Sequence, residues 1–426
     1  MNQLQKKLKA HGPIHLGIVG CGLMGGFLVN QVLQHPGYAL DMVSSRRLES
    51  IVKALERAGL KENDFQVCQS LEDVRQARSQ GKLAITRDNS LVARAGLDCL
   101  VDATGNTVAG AEITVDALNH KTHMVSLNVE MDVLIGPYLH RLAQEKGVLY
   151  TGTYGDEPGS IQELYEFCQF VGLKVIALGK GKNNPLNRHV RQEDLAEEAH
   201  QKGLSPRMLT SFVDGTNTMI ELNCVCNSTG LVPSKPGCHG LKADSETLPD
   251  FFGPGRLIEK TGVVDFVHGL APGVFALVEA QDGSMDEELR FLKMGKGPYY
   301  TIYRPYHLTS IETPISIAKA VLEGETSIYS KEIKAQTVAV AKSDLSPGEG
   351  LNGIGSNEVY GLLLGEEDYQ GRDYVPIGLL TDKCYLKKAL KKDQALRFAD
   401  VEMEETLLYQ IYRTMWNSFD KEGKIH

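Results

Sequence analysis

Two lysines and a carboxamide stand close together where a short apolar segment ends. Lys180, Lys182 and Asn183 follow the run LKVIAL at 173–178, which has the length and composition of a strand. Ammonium groups at a strand end can bind phosphate and polarise a carbonyl, and a lysine in a partly dry pocket can exchange a proton with a substrate oxygen. An exposed basic turn can have the same sequence, so the residues alone leave both interpretations open.

Other titratable or anion-binding groups lie in predicted loops of the middle of the chain. The candidates are Asp214, His239, Arg256, Arg304 and His307. A single histidine is more typical of a structural than of a catalytic role. Asp214 precedes TMIELNCVCN (218–227), which is predicted as either helix or strand.

The sequence leaves the metal unknown. The candidate carboxylates have no spacing that is diagnostic of a metal site: Asp156, Glu157, Asp214 and Glu221. Cys224 and Cys226 lack the C-x-x-C spacing of a zinc site. No H-E-x-x-H, G-x-S-x-G or Walker motif is present.

A glycine-rich turn near the N-terminus has the spacing of a dinucleotide-binding fingerprint. Gly20, Gly22 and Gly25, with Leu23 and Met24 inside the motif, form G-x-G-x-x-G directly after the apolar run IHLGIV. The first glycine permits a tight turn, the second lets a pyrophosphate approach the backbone, and the third lets the helix pack on the strand. Free N–H groups and the helix dipole then hold the phosphates. An ordinary strand-to-helix turn is the alternative.

The end of the second predicted strand indicates which dinucleotide binds. An NAD site has Asp or Glu there to bond the ribose 2′-hydroxyl, whereas this sequence has Ser44, Ser45, Arg46 and Arg47. Hydroxyls and guanidiniums suit a 2′-phosphate, because arginine pairs with phosphate oxygens in a fork. We therefore expect NADP(H), bound by Ser45, Arg46 and Arg47. The alternative is that both arginines lie on a solvated helix start.

Two later strand ends have residues that suit the nicotinamide ribose. Thr104 and Gly105 close the apolar run that begins at Leu97, and Asn128 follows HMVSL at 123–127. Small residues at the carboxyl end of a parallel strand allow a ribose to approach closely. Thr104, Gly105 and Asn128 are therefore predicted to contact the cofactor.

Apolar runs and helical segments alternate over the first 150 residues. This β-α-β-α-β order predicts an α/β fold with a doubly wound parallel sheet of Rossmann type. We place the NADP-binding domain at 1–150 and an α+β catalytic and dimerisation domain at 151–331. A small β-rich domain with a terminal amphipathic helix (404–419) follows at 332–426.

The composition is that of an ordinary globular protein. Of the 426 residues, 42% are hydrophobic and 23% charged, which is enough to bury a core. The net charge of −9 argues against non-specific nucleic-acid binding, and no apolar run reaches the roughly 18 residues that span a bilayer. The eight cysteines are scattered, as in a reducing compartment. We therefore expect a cytoplasmic protein with no nucleic-acid or membrane partner.

Several segments together point to a known family. They are NVEMDV (128–133), GDEPGS (155–160), GKGKNNP (179–185), FVDGTN (212–217), CHG (238–240), YRPYHLTSIETPIS (303–316), VAVAKSDLSPGEGL (338–351) and LKKALKKDQALRFADVEM (386–403). The N-terminal half resembles the homoserine dehydrogenase superfamily. The whole chain resembles the branch with a C-terminal SAF (antifreeze-protein-like) domain, that of the 1-deoxy-D-xylulose 5-phosphate reductoisomerase-like (DRL) oxidoreductases. The chain departs from that pattern at Asn217, where lysine is common, and at Cys238, where methionine is.

The resemblance implies an NADP-dependent oxidoreductase that acts on a small polar, phosphorylated carbonyl compound. Its most specific form is the reductoisomerisation of 1-deoxy-D-xylulose 5-phosphate to 2-C-methyl-D-erythritol 4-phosphate, in isoprenoid biosynthesis, which a divalent cation (Mg²⁺ or Mn²⁺) can assist. One alternative is a homoserine dehydrogenase-like dehydrogenase of another hydroxy acid or polyol. The other is a non-catalytic regulatory protein that senses NADP.

The residue roles follow from that hypothesis. The predicted catalytic residues are Lys180, Lys182, Asn183, Asp214 and His239. The predicted substrate-binding residues are Arg256, Arg304 and His307. A homodimer is expected, because dehydrogenases of this architecture often pair through the second domain.

Overall fold

The computed structural model of the chain describes residues 1–369, 371 and 373–417. These residues form two compact units. The first unit comprises Met1–Gly159 and Leu308–Tyr329, and the second comprises Ser160–His307 and the described residues from Ser330 onward. Residues 418 and 419 of the predicted terminal helix lie outside the described residues. The predicted three-domain division groups the chain differently, and its boundaries stay a prediction.

The strands and helices of the described residues are numbered here in chain order. The strands are β1 (Ile14–Val19), β2 (Tyr38–Ser44), β3 (Phe65–Val67), β4 (Leu83–Thr86), β5 (Cys99–Asp102), β6 (His123–Ser126), β7 (Tyr150–Gly152), β8 (Lys174–Gly181), β9 (Val232–Pro233), β10 (Leu241–Lys242), β11 (Val263–His268), β12 (Val274–Glu279), β13 (Tyr299–Arg304), β14 (Ala335–Ala341), β15 (Val359–Gly365), β16 (Tyr385–Leu386) and β17 (Val401–Glu402). The helices are α1 (Asn2–His11), α2 (Leu23–Leu33), α3 (Leu48–Arg57), α4 (Leu71–Ser79), α5 (Asn89–Ala93), α6 (Thr107–Asn119), α7 (Val129–Lys146), α8 (Glu157–Phe170), α9 (Ala196–Gln201), α10 (Pro206–Val213), α11 (Thr216–Thr229), α12 (Gly283–Phe291), α13 (Thr309–Leu322), α14 (Glu366–Tyr369) and α15 (Leu407–Asn417).

The first unit contains a seven-stranded parallel sheet in the order β3-β4-β2-β1-β5-β6-β7. Strands β1 to β4 form one half of the sheet, with β4 between β2 and β3, and β5 to β7 then follow one another outward on the other side of β1. Because parallel crossovers are right-handed, this reversal puts helices on both faces and opens a crevice where β1 and β5 meet. The predicted Rossmann-type fold is confirmed, and its crevice lies directly beyond Val19, where the glycine turn begins.

Helix α13 belongs to the first unit, although it follows a long segment of the second unit in the sequence. The sequence predicts its residues 314–322 in the substrate domain, but Ile317, Ala318 and Ala320 are buried in the core of the parallel sheet. The Tyr38 hydroxyl donates to the Pro314 carbonyl at 2.6 Å. The first unit is therefore completed by a segment far from it in sequence.

The second unit is built on a mixed sheet in the order β10-β11-β8-β12-β13, with β9 also pairing with β11. Strands β8, β10 and β11 are parallel, and β12 runs antiparallel to both β8 and β13. The core cluster on one face of this sheet includes Leu222 and Val225 of α11. The segment TMIELNCVCN is therefore helical. Its helix starts after Gly215, which has φ 86°, and the Asp214 carboxylate accepts from the Thr216 N–H at 2.8 Å.

Short antiparallel pairs dominate the chain after Ser330, as predicted. Strands β14 and β15 form a ladder of seven residue pairs, and β16 pairs with β17. Ala335 and Leu363 belong to the same core cluster as α11, and the Thr216 hydroxyl accepts from the Gly361 N–H at 2.8 Å. This part of the chain thus shares its core with the mixed sheet. Among the described residues, no helix combines the length and the apolar character needed to cross a bilayer.

Candidate active site

Lys180 lies on β8 and forms a buried ion pair with Glu221 of α11. The Asn217 amide donates to the other oxygen of the same carboxylate at 2.6 Å. Asn217 and Glu221 are four residues apart on one helix, so they share the face that covers Lys180. Lys180 and Lys182 are each only 6% exposed. The burial excludes the exposed-turn alternative for this lysine pair.

Lys182 follows β8 directly and is also held in place. Its ammonium donates to the Phe212 carbonyl at 2.5 Å, and its backbone N–H donates to Val267 O at 2.9 Å. Burial, and secondarily the charge of Lys180, lower the pKa of Lys182 to about 8. This pKa is close to neutral pH. A general acid works best when its pKa lies near the pH at which the enzyme operates. The neighbouring Asn183 is exposed.

Asp214 forms a buried ion pair with a lysine that is distant in sequence. Its carboxylate lies 2.9 Å from the ammonium of Lys342, just beyond β14, and both side chains are almost fully buried. Lys342 also donates to the carbonyls of Val190 and Ser356. Burial raises the pKa of Asp214, against the lowering effect of Lys342. Asp214 thus takes part in a buried ion pair that links the start of α11 to the end of β14. Its predicted catalytic role stays a prediction.

Four residues form one row across the mixed sheet. Phe266 pairs with Lys180, Lys180 with Val274, and Val274 with Arg304. Residues directly opposite one another in a sheet project from the same face. Lys180 and Arg304 therefore lie on one face with Val274 between them, about 10 Å apart at their Cα atoms from the usual strand spacing of about 4.8 Å.

Arg304 is held beside the amino-terminal part of α8. Its Nη1 donates to the Glu163 carboxylate at 2.7 Å and to the Ser160 hydroxyl at 3.3 Å. The guanidinium also lies over the Tyr306 ring, 4.7 Å from its centroid. The arginine side chain is 12% exposed, while that of Glu163 is 50% exposed. An anion that approaches Arg304 therefore meets an oriented guanidinium whose carboxylate partner faces solvent.

The other predicted substrate-binding residues are placed differently. Arg256 is exposed in the turn between Gly253 and Ile258. His307 is half-buried in the segment between β13 and α13, three residues after Arg304. Of the three predicted substrate-binding residues, only Arg304 belongs to the row that contains Lys180.

His239 lies in a loop beside β11, one strand away from β8. Its Nδ1 is 2.8 Å from the Ser234 hydroxyl, which donates to Asp265 at 2.5 Å. Asp265 pairs in register with Gly179, the residue before Lys180. Sequence reasoning missed Ser234 and Asp265, because nothing in their spacing from His239 shows that β11 brings them together.

In the first unit, the glycine turn has the geometry that a dinucleotide requires. Gly20 has φ 95°, and a Cβ there would lie 2.5 Å from the Ala103 carbonyl oxygen. A Cβ on Gly25 would clash with Gly20 O, so the third glycine is needed for close helix packing. Gly22 is the N-cap of α2, and no side chain caps the helix there. A Cβ added to Gly22 would have no atom within 4 Å. The open space over a helix N-terminus fits a pyrophosphate.

The residues after β2 are positioned for a phosphate. Arg46 and Arg47 are exposed, Ser45 is half-buried, and neither guanidinium has a polar partner among the described residues. Arg87, at the end of the neighbouring strand β4, is also exposed, and its guanidinium is 3.7 Å from the Glu49 carboxylate. Sequence reasoning missed Arg87, which the pairing of β2 with β4 brings to this edge.

The strand ends of β5 and β6 are tied together by Asn128. Its amide donates to Asp102 Oδ2 at 3.1 Å and to Asn106 O at 2.9 Å, and its oxygen caps α7 at Met131 N. Thr104 N–H donates to the other oxygen of Asp102 at 2.8 Å. Asn128 is wholly buried, so it shapes this edge from within, whereas Thr104 and Gly105 lie nearer its surface. Burial raises the pKa of the nearby Glu130 carboxyl to about 7.

A cleft of about 860 Å³ lies at the opposite end of β8, lined by Lys174, Glu279 and Tyr165 among others. Lys174 and Glu279 form a surface ion pair there, at 2.7 Å. Lys174 precedes Lys180 by six residues, roughly 20 Å along an extended strand. The cleft is therefore not part of the candidate active site.

The comparison with protein families identifies the middle of the chain. The model of the family described as oxidoreductase DRL, catalytic domain, matches residues 155–313. This range includes Lys180, Lys182, Glu221, His239 and Arg304. The resemblance predicted from the sequence is confirmed over this segment, which is an oxidoreductase catalytic domain.

The comparisons with whole proteins add only distant likenesses. No curated protein matches the chain at a significant level. Similar solved structures include a probable dehydrogenase from Thermotoga maritima, at 11% identity and TM-score 0.42 over 74% of this chain and 90% of that one. A 1-deoxy-D-xylulose 5-phosphate reductoisomerase from Zymomonas mobilis in complex with NADPH is 14% identical, with TM-score 0.41 over 72% of this chain and 70% of that one. Likenesses this distant do not indicate the cofactor or the substrate.

Proposed function

We propose that this protein is an NADP-dependent oxidoreductase that reduces a small polar carbonyl compound bearing a phosphate. The observation that carries the proposal is the row on the mixed sheet, in which Lys180 and Arg304 project from one face on either side of Val274. An ammonium can hold a carbonyl oxygen while a guanidinium two strands away holds a phosphate. A short sugar phosphate has both groups at this kind of separation.

The first unit supports a nicotinamide dinucleotide as the partner of this reaction. The space over Gly22 accepts a pyrophosphate, and the reduced nicotinamide supplies the hydride when it is bound. Arg46 and Arg47 are free of polar partners among the described residues, so they can pair with a 2′-phosphate without first breaking an ion pair. The residue at the end of β2 is Ser44, whose hydroxyl donates to Asn89 at 2.8 Å, and no carboxylate takes the place that an NAD site would need.

The two lysines take different parts. Lys180 is fixed by Glu221, so its ammonium orients the substrate oxygen. Lys182 has a pKa of about 8, so it is protonated at neutral pH and can give its proton to an oxygen that becomes negative during the reaction. Lys182 regains a proton from solvent after the product leaves.

In its most specific form the substrate is 1-deoxy-D-xylulose 5-phosphate. One C–C bond breaks and another forms without change of oxidation state, and the aldehyde that results takes a hydride and a proton to give 2-C-methyl-D-erythritol 4-phosphate. The match to a DRL catalytic domain and the two cations of the row support this form. Asp214 and Glu221 are each paired with a lysine, so as placed they do not fit as ligands of Mg²⁺ or Mn²⁺.

The test is NADPH oxidation, followed at the absorbance of the reduced nicotinamide. We expect turnover with 1-deoxy-D-xylulose 5-phosphate and none with other ketose phosphates or homoserine analogues, with and without Mg²⁺ or a chelator. Lys180→Ala should lower kcat by about 10²–10⁴-fold, whereas Lys174→Ala, at the far end of the same strand, should be unaffected. Turnover of a different carbonyl would favour the plain dehydrogenase. NADPH binding without turnover of any compound would favour the sensing protein.

A further inference from the structure

A second row of side chains lies at the end of the mixed sheet, next to the row of the candidate active site. Gly181, the last residue of β8, pairs with Val267, and the N–H of the next residue, Lys182, donates to Val267 O at 2.9 Å. Lys182 therefore lies beside His268, the last residue of β11. On the other edge of β11, His268 pairs with Lys242 of β10. The order across the sheet is thus Lys242, His268 and Lys182.

The ring of His268 lies on the same sheet face as Lys180. Phe266 pairs with Lys180, so these two side chains share a face. His268 is two residues after Phe266 on one strand, and alternation along a strand returns its side chain to that face. The two rings confirm this placement, since they meet edge to face with their centroids 5.6 Å apart. His268 therefore projects from the face that carries the Lys180–Arg304 row.

The electrostatic environment of His268 keeps its ring neutral. From β8 and β10, the strands on either side of β11, the charged groups that face the ring are Lys182 and Lys242. Burial lowers the pKa of His268 below its ordinary value of 6.5, and these two charges lower it further, against a hydrogen bond with the Lys182 backbone that raises it. A neutral imidazole at neutral pH can accept a proton.

The turn that follows β11 bends toward the opposite face of the sheet. A Cβ on Gly181 would point away from the face of the two lysines, and it would clash with the Ala271 N. Leu270, in the same turn, belongs to the core cluster on that opposite face. The turn therefore leaves His268 half-buried rather than enclosed. A substrate held by Lys180 can reach its ring from the face that they share.

These placements join an acid and a base at adjacent positions of one sheet face. We propose that His268 is a further catalytic residue of this site, the general base that works with the ammonium of Lys182 as the acid. This inference rests on the proposed function and deepens it, because it assigns the proton acceptor that the protonated lysines cannot provide. No sequence motif singles out His268, since only the pairing of β8 with β11 brings it beside Lys182.

The proposal balances the protons of the rearrangement. The ring of His268 takes the proton of the substrate hydroxyl whose carbon becomes the aldehyde. The C–C bond electrons move to the ketone carbon, and Lys182 gives its proton to the ketone oxygen. Because Lys182 loses its charge as His268 gains one, the net charge of the pair stays the same. After hydride transfer the imidazolium returns its proton to the new alkoxide, and the single proton that is consumed overall enters through Lys182 from solvent.

The first test measures the protonation of His268 and needs no substrate. The ring resonances of His268 in the full-length protein are assigned by their loss in His268→Gln and followed in an NMR titration. We expect a pKa below 6.5. At low ionic strength it should rise in Lys242→Gln, because one of the two lowering charges is removed. Lys260→Gln, which changes an exposed lysine near the opposite end of β11, should leave it unchanged. An unchanged pKa in Lys242→Gln would contradict the row, and a ring protonated at neutral pH would overturn the proposal.

The second test measures turnover of 1-deoxy-D-xylulose 5-phosphate with NADPH. Removal of a general base lowers rates by about 10²–10⁴-fold, so we expect kcat to fall in this range in His268→Gln, with a smaller change in KM. His200→Gln, which changes an exposed histidine of α9, is the matched control and should keep the original rate. A near-normal kcat in folded His268→Gln would overturn the role of His268 and leave the proposed function standing.

The pH profile distinguishes a base from a structural residue. In the unsubstituted protein, kcat should decrease as the pH falls through the pKa of His268, because the protonated ring cannot accept a proton. The residual kcat of His268→Gln should lack this decrease, whereas loss of a merely structural residue would lower kcat and leave the decrease in place. Absence of turnover of any carbonyl by the unsubstituted protein would refute the proposed function and the base role with it.

Discussion

Two pairs of basic residues stand at strand ends in this protein, in opposite environments. Arg46 and Arg47, after β2, are exposed and have no polar partner among the residues that the structure describes. Lys180 and Lys182, at the end of β8, are buried and make hydrogen bonds to Glu221 and to a backbone carbonyl. An exposed guanidinium keeps its hydration until a ligand replaces it, whereas a buried ammonium has lost its water and depends on the groups that surround it.

This difference predicts that the exposed arginines contribute to ligand binding and that the buried lysines contribute to the reaction. Substitution of an exposed arginine should change affinity for one ligand and little else. Substitution of a buried lysine should change turnover and stability together, because the partner that oriented it becomes an unpaired buried group. The four predictions below test that separation, from the largest expected effect to the smallest.

Lys180→Ala should lower kcat by about 10²–10⁴-fold, because it removes the group that orients the substrate oxygen. It should also lower the free energy of unfolding, since Glu221 remains buried. The control is Lys180→Ala combined with Glu221→Gln, which removes the unpaired charge. We expect this double variant to regain stability in urea unfolding and to remain inactive. Recovery of activity together with stability would show that Lys180 acts only through the fold.

Lys342→Met should destabilise the second unit by about 3–5 kcal/mol in urea unfolding, because Asp214 then remains as an uncompensated buried charge. Asp214→Asn in the same chain should recover most of that loss, since an amide oxygen can still accept from the Thr216 N–H. If the double variant folds and turns over substrate, Asp214 is structural. If it folds and is inactive, the catalytic role predicted for Asp214 from the sequence is supported.

Arg46→Asp should weaken NADP binding by roughly 10- to 150-fold, the effect of losing one charge-assisted phosphate contact of about 1.5–3 kcal/mol. Binding of NAD should change much less. Fluorescence titration with both reduced cofactors measures the two affinities. Arg57→Asp, an exposed arginine at the end of α3, is the matched control for net charge. Equal losses for both cofactors would contradict the 2′-phosphate assignment.

The smallest effect concerns the pH dependence set by Lys182. Its folded pKa of about 8 lies below the ordinary value of 10.5, so the ammonium is lost as pH rises through 8. If Lys182 donates a proton, kcat should decrease above pH 8. The unfolded chain keeps this proton up to about pH 10.5, so the contribution of Lys182 to stability should rise between these two values. Lys182→Arg should remove the decrease in kcat near pH 8, and a decrease unchanged in that variant would assign it to another group.

The parts of the site that could be predicted are those that depend on neighbours in sequence. The glycine turn follows a strand and opens a helix within a few residues, so its geometry was visible in the spacing of Gly20, Gly22 and Gly25. Asn217 and Glu221 are four residues apart, which is the spacing of one helix face if this segment is a helix. Its alternative, a strand, could be excluded only from the structure, where the helix packs on the mixed sheet.

The parts that could not be predicted depend on strand pairing between distant segments. Asp265 meets His239 because β9 and β10 pair with one edge of β11, and Lys342 meets Asp214 across 128 positions of the sequence. The environment of the lysine pair has the same origin, since Glu221 of α11 and Phe212 of α10 contact the two ammonium groups. Composition and local periodicity do not contain these long-range contacts.

The central claim is that Lys180 and Arg304, two strands apart on one sheet face, hold the two ends of one phosphorylated substrate. The most direct measurement is the ratio of kcat/KM for 1-deoxy-D-xylulose 5-phosphate to that for unphosphorylated 1-deoxy-D-xylulose, in the original protein and in Arg304→Ala. The loss of a charge-assisted contact predicts that this ratio falls by roughly 10- to 150-fold in Arg304→Ala. In Arg256→Ala, which changes an exposed arginine outside the row, the ratio should stay constant. An unchanged ratio in a folded Arg304→Ala variant, or a collapse of the ratio in Arg256→Ala instead, would contradict the claim.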